Sequence, residues 1–124
     1  MNDKISMLYV DDEPINLKLF EINFGKKYNV RTTDSGYNGL AQLKSNPGIE
    51  IVISDMKMPG MNGIEFIKEA KKDFPEIVYF ILTGYGLTEE ISKAIDDKLI
   101  RKYFGKPFNM KEIELSIEEA KAKL

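Results

Sequence analysis

Five short runs rich in branched and aromatic residues alternate along this chain with five stretches whose apolar residues recur at helical spacing. No other feature constrains the fold as strongly, because strands that alternate with helices form right-handed βαβ units and a parallel sheet. The runs predict strands over residues 5–10, 28–33, 49–55, 77–84 and 99–104. The stretches between them predict helices over residues 14–24, 35–46, 63–74, 88–98 and 109–124. We therefore predict an α/β fold, a doubly wound, five-stranded parallel sheet in the common order 2-1-3-4-5 with helices on both faces.

Individual residues within these segments indicate which strand is covered on both faces, where helices begin and how their apolar residues are spaced. The uninterrupted apolar run Ile51–Ile53 suits a strand covered on both faces, whereas the more polar run at 28–33 suits an edge. Pro14 is tolerated as the first residue of a helix, and Thr88 and Asn109 are suited to capping the last two helices. Apolar residues recur at helical spacing in the first, third and fifth helices: Ile15, Leu19 and Ile22; Ile64, Ile67 and Ala70; Ile113, Ile117 and Ala120.

Size and composition exclude several classes of protein. A chain of 124 residues has the length of one compact domain, and we predict a single domain over residues 1–124. The formal net charge of −2 gives no sign of direct nucleic-acid binding. The absence of cysteine and histidine excludes disulfides, thiolate or imidazole metal ligands and an imidazole base. No signal peptide or membrane-spanning run is visible, so we expect a cytoplasmic protein that binds no membrane.

Polar residues with chemical potential stand where the predicted strands end. Asp11 and Asp12 follow the first strand, Asp55 ends the third, Thr83 ends the fourth, and Lys106 follows the fifth. In a doubly wound sheet, ligands bind beyond the carboxyl ends of the strands. With the order 2-1-3-4-5, the first and third strands are neighbours, so we expect the three aspartates to converge, flanked by the threonine and the lysine.

Three converging carboxylates repel one another, by roughly 4 kcal/mol for a pair about 4 Å apart at an effective dielectric constant of 20. Either their pKa values rise or a cation occupies the site. A cluster with only oxygen ligands selects a hard cation, which indicates Mg²⁺, with Mn²⁺ as an alternative. We therefore predict that a metal ion is the reason why two adjacent acids, Asp11 and Asp12, end the first strand.

Such a cation beside a lysine and a hydroxyl is also suited to phosphoryl chemistry, because both positive groups can spread the charge of a transferring phosphoryl group. With no serine, histidine or cysteine nucleophile in evidence, an aspartate is the natural acceptor. Asp55 is a better candidate than Asp11 or Asp12, because it stands alone before the turn-rich segment MKMPGMNG.

Four motifs, YVDDEP, VISDMKMPGMNG, ILTG and YFGKPF, resemble in order and spacing the receiver domains of bacterial two-component response regulators. The resemblance covers nearly the whole chain and is closest to single-domain receivers of the chemotaxis-regulator type. It implies a flavodoxin-like (βα)5 fold and a phosphorylation-dependent signalling switch in a phosphorelay. It also implies that the protein is a phosphoacceptor that assists its own phosphorylation and dephosphorylation and is not an enzyme in the ordinary sense.

The resemblance also implies roles for the residues of the acidic pocket. Asp55 matches the phosphoacceptor, which takes its phosphoryl group from the phosphohistidine of a sensor histidine kinase or a histidine phosphotransfer protein. Asp12 matches the direct Mg²⁺ ligand and Asp11 the acid that holds a metal-bound water. Lys57 matches the residue whose backbone carbonyl completes the coordination.

Further positions match the family's switch. Thr83 matches the hydroxyl that moves onto the phosphoryl group, Lys106 its ion-pair partner, and Tyr103 an aromatic that turns inward on activation. Pro107 matches a proline that follows a cis peptide bond. These matches imply a shift in the surface formed by the fourth helix, fifth strand and fifth helix, which an effector, still unidentified, would bind. Bulky Tyr85, which with Lys57 flanks the path of hydrolytic water in such domains, leads us to expect a long-lived phosphorylated state.

Two alternatives remain open at this stage. A Mg²⁺-dependent phosphohydrolase of the haloacid-dehalogenase type also forms an aspartyl phosphate, but it needs a second aspartate where this chain has Lys57. A docking module with this fold that is never phosphorylated is the other. Taken singly, Asp12 also suits a helix cap and Lys106 a solvated surface, and only their joint placement at strand ends favours the switch.

Overall fold

A computed structural model describes residues 4–122 and contains five strands and five helices in strict alternation. The strands are β1 (Ser6–Val10), β2 (Asn29–Thr33), β3 (Ile51–Asp55), β4 (Val78–Thr83) and β5 (Lys102–Gly105). The helices are α1 (Pro14–Phe24), α2 (Gly36–Ser45), α3 (Gly63–Asp73), α4 (Glu89–Asp96) and α5 (Met110–Ala122). None of the helices within residues 4–122 is both long and apolar enough to cross a membrane.

The strands form one parallel sheet in the order β2-β1-β3-β4-β5, as the sequence predicted. The pairing of Val10 with Ser54 and of Asp55 with Leu82 aligns the carboxyl ends of β1, β3 and β4 at one edge. Every residue of β3 is buried, and β2 lies at the edge of the sheet, which confirms both expectations about these strands. The register therefore gathers the residues that follow the strands.

The helices cover both faces of the sheet and form two core layers. Helices α2, α3 and α4 pack on one face with inward residues such as Leu43, Ile67 and Ile91. Helices α1 and α5 pack on the other face with residues such as Phe20 and Ile117. The predicted inner stripes of α3 and α5 are buried as expected, and the residues concerned are Ile64, Ile67, Ala70, Ile113, Ile117 and Ala120.

Helix α1 begins at Pro14 as predicted, but the spacing that indicated the helix does not mark its buried face. Its apolar residues Ile15, Leu19 and Ile22 are 69%, 47% and 65% exposed. The buried residues are instead Phe20 and Phe24, whose rings lie one turn apart with centroids separated by 4.5 Å. Burial of two large aromatic side chains removes more apolar surface from water than burial of the aliphatic residues, so the aromatic pair faces the sheet.

The caps and boundaries agree with the sequence in most places. Thr88 accepts a hydrogen bond from the backbone N–H of Ile91, and Asn109 accepts one from Glu112, so both predicted caps are confirmed. Strand β5 begins at Lys102 and not at residue 99, because the backbone N–H groups of residues 99 and 100 donate to the end of α4. The predicted helix at 109–124 reaches residue 122, and its last two positions lie outside the described residues.

Candidate functional site

Three aspartates converge at the carboxyl edge of the sheet. Asp11 follows β1, Asp55 is the last residue of β3, and Asp12 is the next residue after Asp11. Each offers a carboxylate oxygen, and these atoms lie within 4.8 Å of one another. Asp11 is fully buried, Asp55 is 6% exposed and Asp12 is half-buried. The predicted cluster is confirmed, and it is open to solvent on the side of Asp12.

Lys106 lies against two of these carboxylates. Its Nζ is 3.0 Å from Asp55 Oδ1 and 3.5 Å from Asp11 Oδ2. The backbone N–H of Lys106 donates to the carbonyl of Thr83, which ties the segment after β5 to the end of β4. The peptide bond between Lys106 and Pro107 is cis, as expected. The lysine therefore reaches across the edge of β4 to the acids at the ends of β1 and β3.

Burial and neighbouring charges shift the pKa values of Asp55 and Lys106. Burial raises the pKa of Asp55, and the neighbouring Asp11 charge adds to this, while the bond from Lys106 opposes it. Burial disfavours the charged form of Lys106, but the two carboxylates outweigh burial and raise its pKa. With all groups ionised, three carboxylates face one ammonium, so the pocket keeps an excess of negative charge.

The donor set fits a hard divalent cation. All three side chains offer oxygen, and carboxylate oxygen is the ligand type that Mg²⁺ and Mn²⁺ prefer. The pairing by Lys106 is incomplete, because a single ammonium shared by Asp55 and Asp11 leaves Asp12 without it. A cation at this cluster would complete the neutralisation that Lys106 begins.

Thr83 and Tyr103 lie on neighbouring strands beside the cluster. Thr83 ends β4 and is 1% exposed, and its Oγ1 accepts a hydrogen bond from the backbone N–H of Tyr85 at 3.1 Å. The hydroxyl hydrogen therefore remains available for donation. Tyr103 lies on β5 opposite Ile81, is half-buried, and packs against the core layer formed by α2, α3 and α4. The structure does not bring Tyr103 into the acidic cluster itself.

The side chain of Lys57 contacts Tyr85, whereas its backbone carbonyl is the group expected to coordinate the metal. Its ammonium lies 4.6 Å from the ring centroid of Tyr85, in the range of a cation–π contact. Tyr85 is 69% exposed and follows Thr83 by two residues. The pair joins the loop after β3 to the loop after β4, and both residues line a cavity of about 540 Å³ that also includes Thr83 and Met56.

Two residues that the sequence analysis did not assign to the site, Tyr9 and Asn16, also contact the cluster. The Tyr9 hydroxyl donates to Asp11 Oδ2 at 2.6 Å, and Asn16 Nδ2 donates to the same oxygen at 3.2 Å. Burial, followed by the bond to Asp11, raises the pKa of the Tyr9 phenol far above its ordinary value, so the phenol keeps its proton. Strand periodicity gave a signal for Tyr9, since residues two apart on a strand face the same side.

Comparison with known proteins gives consistent matches. A family model described as the response regulator receiver domain matches residues 7–118. The hydrogenase transcriptional regulatory protein HoxA of Cupriavidus necator is 32% identical over 109 residues, which cover 87% of this chain and 22% of that protein. A response regulator receiver domain protein from Clostridium thermocellum superposes with a TM-score of 0.83 at 30% identity, covering 94% of this chain and 93% of that chain. A CheY-like receiver domain protein from Methanospirillum hungatei gives a TM-score of 0.85 at 26% identity, with coverage of 94% and 93%.

The curated relatives are much longer proteins than this chain. The chain spans between about a fifth and about a quarter of the length of the curated relatives that it matches. The similarity therefore concerns one domain of each relative.

Proposed function

This chain belongs to the response regulator receiver domain family, whose members are phosphorylation-dependent signalling switches, and we propose that Asp55 is its phosphoacceptor. The observation that carries the proposal is the position of Asp55, a nearly buried carboxylate held 3.0 Å from Lys106 in a cluster of three acids. We further propose that residues 1–124 form a single receiver domain that acts in the cytoplasm.

The metal site would consist of Asp11, Asp12, Asp55 and the backbone carbonyl of Lys57. A bound Mg²⁺ would supply positive charge that stabilises the negative oxygens of a transferring phosphoryl group. Asp11 and Asp55 already share Lys106 as a counter-ion, which supports the need for further positive charge here. Mn²⁺ has the same preference for oxygen ligands and would serve as a substitute.

The transfer would move a phosphoryl group from a phosphohistidine to Asp55. An Asp55 carboxylate oxygen attacks phosphorus, the new O–P bond forms, the N–P bond breaks, and the leaving imidazole nitrogen keeps the electron pair of that bond and takes up a proton from solvent. Lys106 would stabilise the negative charge that moves to the phosphoryl oxygens, since its ammonium already contacts the attacking carboxylate. The partner would be a sensor histidine kinase or a histidine phosphotransfer protein. In this scheme the receiver assists its own phosphorylation and, with water as the attacking group, its own dephosphorylation.

The switch would then depend on Thr83 and Tyr103. The Thr83 hydroxyl keeps a hydrogen to donate, and a phosphoryl group on Asp55 would offer it a strong acceptor. Movement of Thr83 would draw in the loop that carries Tyr85 and leave space for the half-buried ring of Tyr103 to rotate inward. Phosphorylation would thereby favour a minor conformation of the α4–β5–α5 surface, which a downstream effector would bind.

Small phosphodonors test the proposal without a cognate kinase. The protein is incubated with acetyl phosphate and Mg²⁺, and intact mass is measured for the wild type, Asp55→Asn and Asp34→Asn. Asp34 is a matched control because it follows β2 at the same edge of the sheet but bonds to Asn38 and lies outside the cluster. We expect one added phosphoryl group in the wild type and in Asp34→Asn and none in Asp55→Asn; equal labelling of all three proteins would refute the assignment.

A further inference from the structure

Asp11 is a buried carboxylate that has more donors than any other acid of the cluster. Its side chain is fully buried, so each of its oxygens depends on protein donors for the hydrogen bonds that water would otherwise give. Oδ1 accepts the backbone N–H of Glu13 at 3.0 Å. Oδ2 faces Tyr9, Asn16 and Lys106 at 2.6, 3.2 and 3.5 Å. Tyr9 makes the shortest of these contacts and Lys106 the longest.

Tyr9 is held rigidly in place. It is 1% exposed, and its ring stacks on that of Phe20 with centroids 4.1 Å apart and planes 11° from parallel. A buried tyrosine hydroxyl needs a polar partner, and the only such partner found among residues 4–122 is Asp11. An oxygen–oxygen distance of 2.6 Å falls in the range of strong, charge-assisted bonds from a hydroxyl to a carboxylate.

We propose that Tyr9 is a positioning residue that orients the carboxylate of Asp11 for the cation and keeps it paired when Lys106 moves. The inference rests on the proposed function and deepens it, because it gives a role at the same site to a residue for which the resemblance implied none. Lys106 divides its contacts between Asp11 and Asp55 in the structure. A phosphoryl group on Asp55 would draw Lys106 away from Asp11, and the loss of a charged donor from a buried carboxylate is costly. The hydroxyl of Tyr9, which makes the shortest contact with Oδ2, would remain in place and limit that cost.

The test compares two conservative substitutions, Tyr9→Phe and Tyr79→Phe. Tyr79 is equally buried, at 1% exposed, and its hydroxyl donates to the backbone carbonyl of Phe74 at 2.9 Å, at the far end of β4 from the acids. Each substitution removes one buried hydroxyl and one hydrogen bond, so Tyr79→Phe shows what such a loss does to Mg²⁺ binding when it occurs away from the acids. Calorimetric titration with MgCl₂ then gives the Mg²⁺ dissociation constant of each variant.

We expect Tyr9→Phe to weaken Mg²⁺ binding about 10-fold, as is typical for loss of a partner of a metal ligand, and Tyr79→Phe to leave it unchanged. Equal Mg²⁺ affinity of the wild type and Tyr9→Phe would overturn the inference while leaving the proposed function intact. Failure of the wild type itself to bind Mg²⁺ would overturn both. Equal weakening in the two variants would show a general stability effect and also contradict the inference.

A spectroscopic measurement on the wild type does not depend on how the variants fold. A phenolic hydrogen in a short bond to a buried carboxylate gives a slowly exchanging proton resonance shifted far downfield. We expect such a resonance in the wild type, and we expect it to shift when Mg²⁺ is added. A spectrum without such a resonance, or one whose position ignores saturating Mg²⁺, would contradict the role of Tyr9.

Discussion

The ammonium of Lys106 lies 3.0 Å from Asp55 Oδ1 and bridges this carboxylate to that of Asp11. Lys106 follows β5 and Asp55 ends β3, and these two strands are not adjacent in the sheet. The bridge is an internal counter-ion for an over-charged pocket. It partly neutralises the acids in the absence of a metal, and it also competes with any cation that enters. Two substitutions, Lys106→Met and Asp55→Asn, test this balance of charge.

Lys106→Met should destabilise the metal-free protein and strengthen its binding of Mg²⁺. Loss of the ammonium leaves Asp11 and Asp55 repelling one another without compensation, which we expect to cost about 1 kcal/mol, given the partial exposure of the lysine. The same loss removes a competitor, so Mg²⁺ should restore more stability than it adds to the wild type. Thermal unfolding with and without Mg²⁺ measures both effects.

Lys102→Met is the matched control for this variant. Lys102 lies on β5, is half-exposed at 47%, and is 3.8 Å from Glu112 on the protein surface. The substitution Lys102→Met should leave the response of the melting temperature to Mg²⁺ unchanged. A Mg²⁺ response that is the same in Lys106→Met as in the wild type would show that the bridge does not oppose metal binding.

Asp55→Asn should stabilise the metal-free protein in a pH-dependent manner. Burial and Asp11 raise the pKa of Asp55 above its ordinary value of 3.8. Below that value the carboxyl is protonated in both the folded and unfolded states and carries no penalty. As pH rises through the folded-state pKa, the folded protein must ionise Asp55 unfavourably, so stability is lost.

The difference in unfolding free energy between Asp55→Asn and the wild type isolates this contribution from other carboxylates. We expect the advantage of the variant to be absent in strong acid and to grow to about 1 kcal/mol near neutral pH. Urea denaturation in EDTA at several pH values measures it. An advantage that stays constant with pH, or one that shrinks as pH rises, would contradict the assigned direction.

Gly63→Ala should destabilise the fold and disturb Asp55. A Cβ at position 63 would contact the backbone carbonyl oxygen of Asp55 and approach Ile81 Cδ1 to 2.8 Å. The backbone contact cannot be relieved by a side-chain rotation, so we expect a cost of about 2 kcal/mol. Gly48→Ala, where a Cβ meets nothing within 4 Å, should be neutral or slightly stabilising. Urea denaturation of the pair tests the difference, and equal stability of the two variants would argue against close packing at Gly63.

Tyr85→Ala should shorten the lifetime of the phosphorylated protein. The Tyr85 ring and the Lys57 ammonium lie 4.6 Å apart and join the two loops that flank the pocket, which we expect to restrict the approach of water. Loss of the ring should speed dephosphorylation several-fold, measured by decay of the phosphorylated mass after removal of the donor. Leu87→Ala, on the same loop and also exposed, is the control. An unchanged lifetime in Tyr85→Ala would dismiss this role.

Much of the fold followed from local pattern in the sequence. The apolar run Ile51–Ile53, the helix start at Pro14 and the capping residues each depend on a few neighbouring positions, and the structure agrees with them. Helix α1 shows the limit of that reasoning. The spacing of Ile15, Leu19 and Ile22 predicted the helix correctly. Which face of the helix is buried depends on the stacking of Phe20 on Tyr9, a contact that local spacing does not reveal.

The site divides in the same way. Strand order and strand ends were enough to predict that Asp11, Asp12 and Asp55 converge, because parallel strands align their carboxyl ends. Strand periodicity places Tyr9 and Asp11 on the same side, but the contact between them also depends on the burial of the Tyr9 hydroxyl, which is visible only in three dimensions. The contact between Lys57 and Tyr85 depends on loop conformations and was likewise visible only in three dimensions.

The central claim is that Asp55 accepts a phosphoryl group with the help of Mg²⁺. Binding of beryllofluoride, a stable mimic of the phosphoryl group, tests this claim most directly. Fluorine NMR follows the protein with beryllofluoride, first in EDTA and then in saturating Mg²⁺, for the wild type and Asp55→Asn. We predict a protein-bound fluorine resonance in the wild type with Mg²⁺ only. A bound resonance that persists in Asp55→Asn, or none in the wild type when Mg²⁺ is bound, would contradict the account.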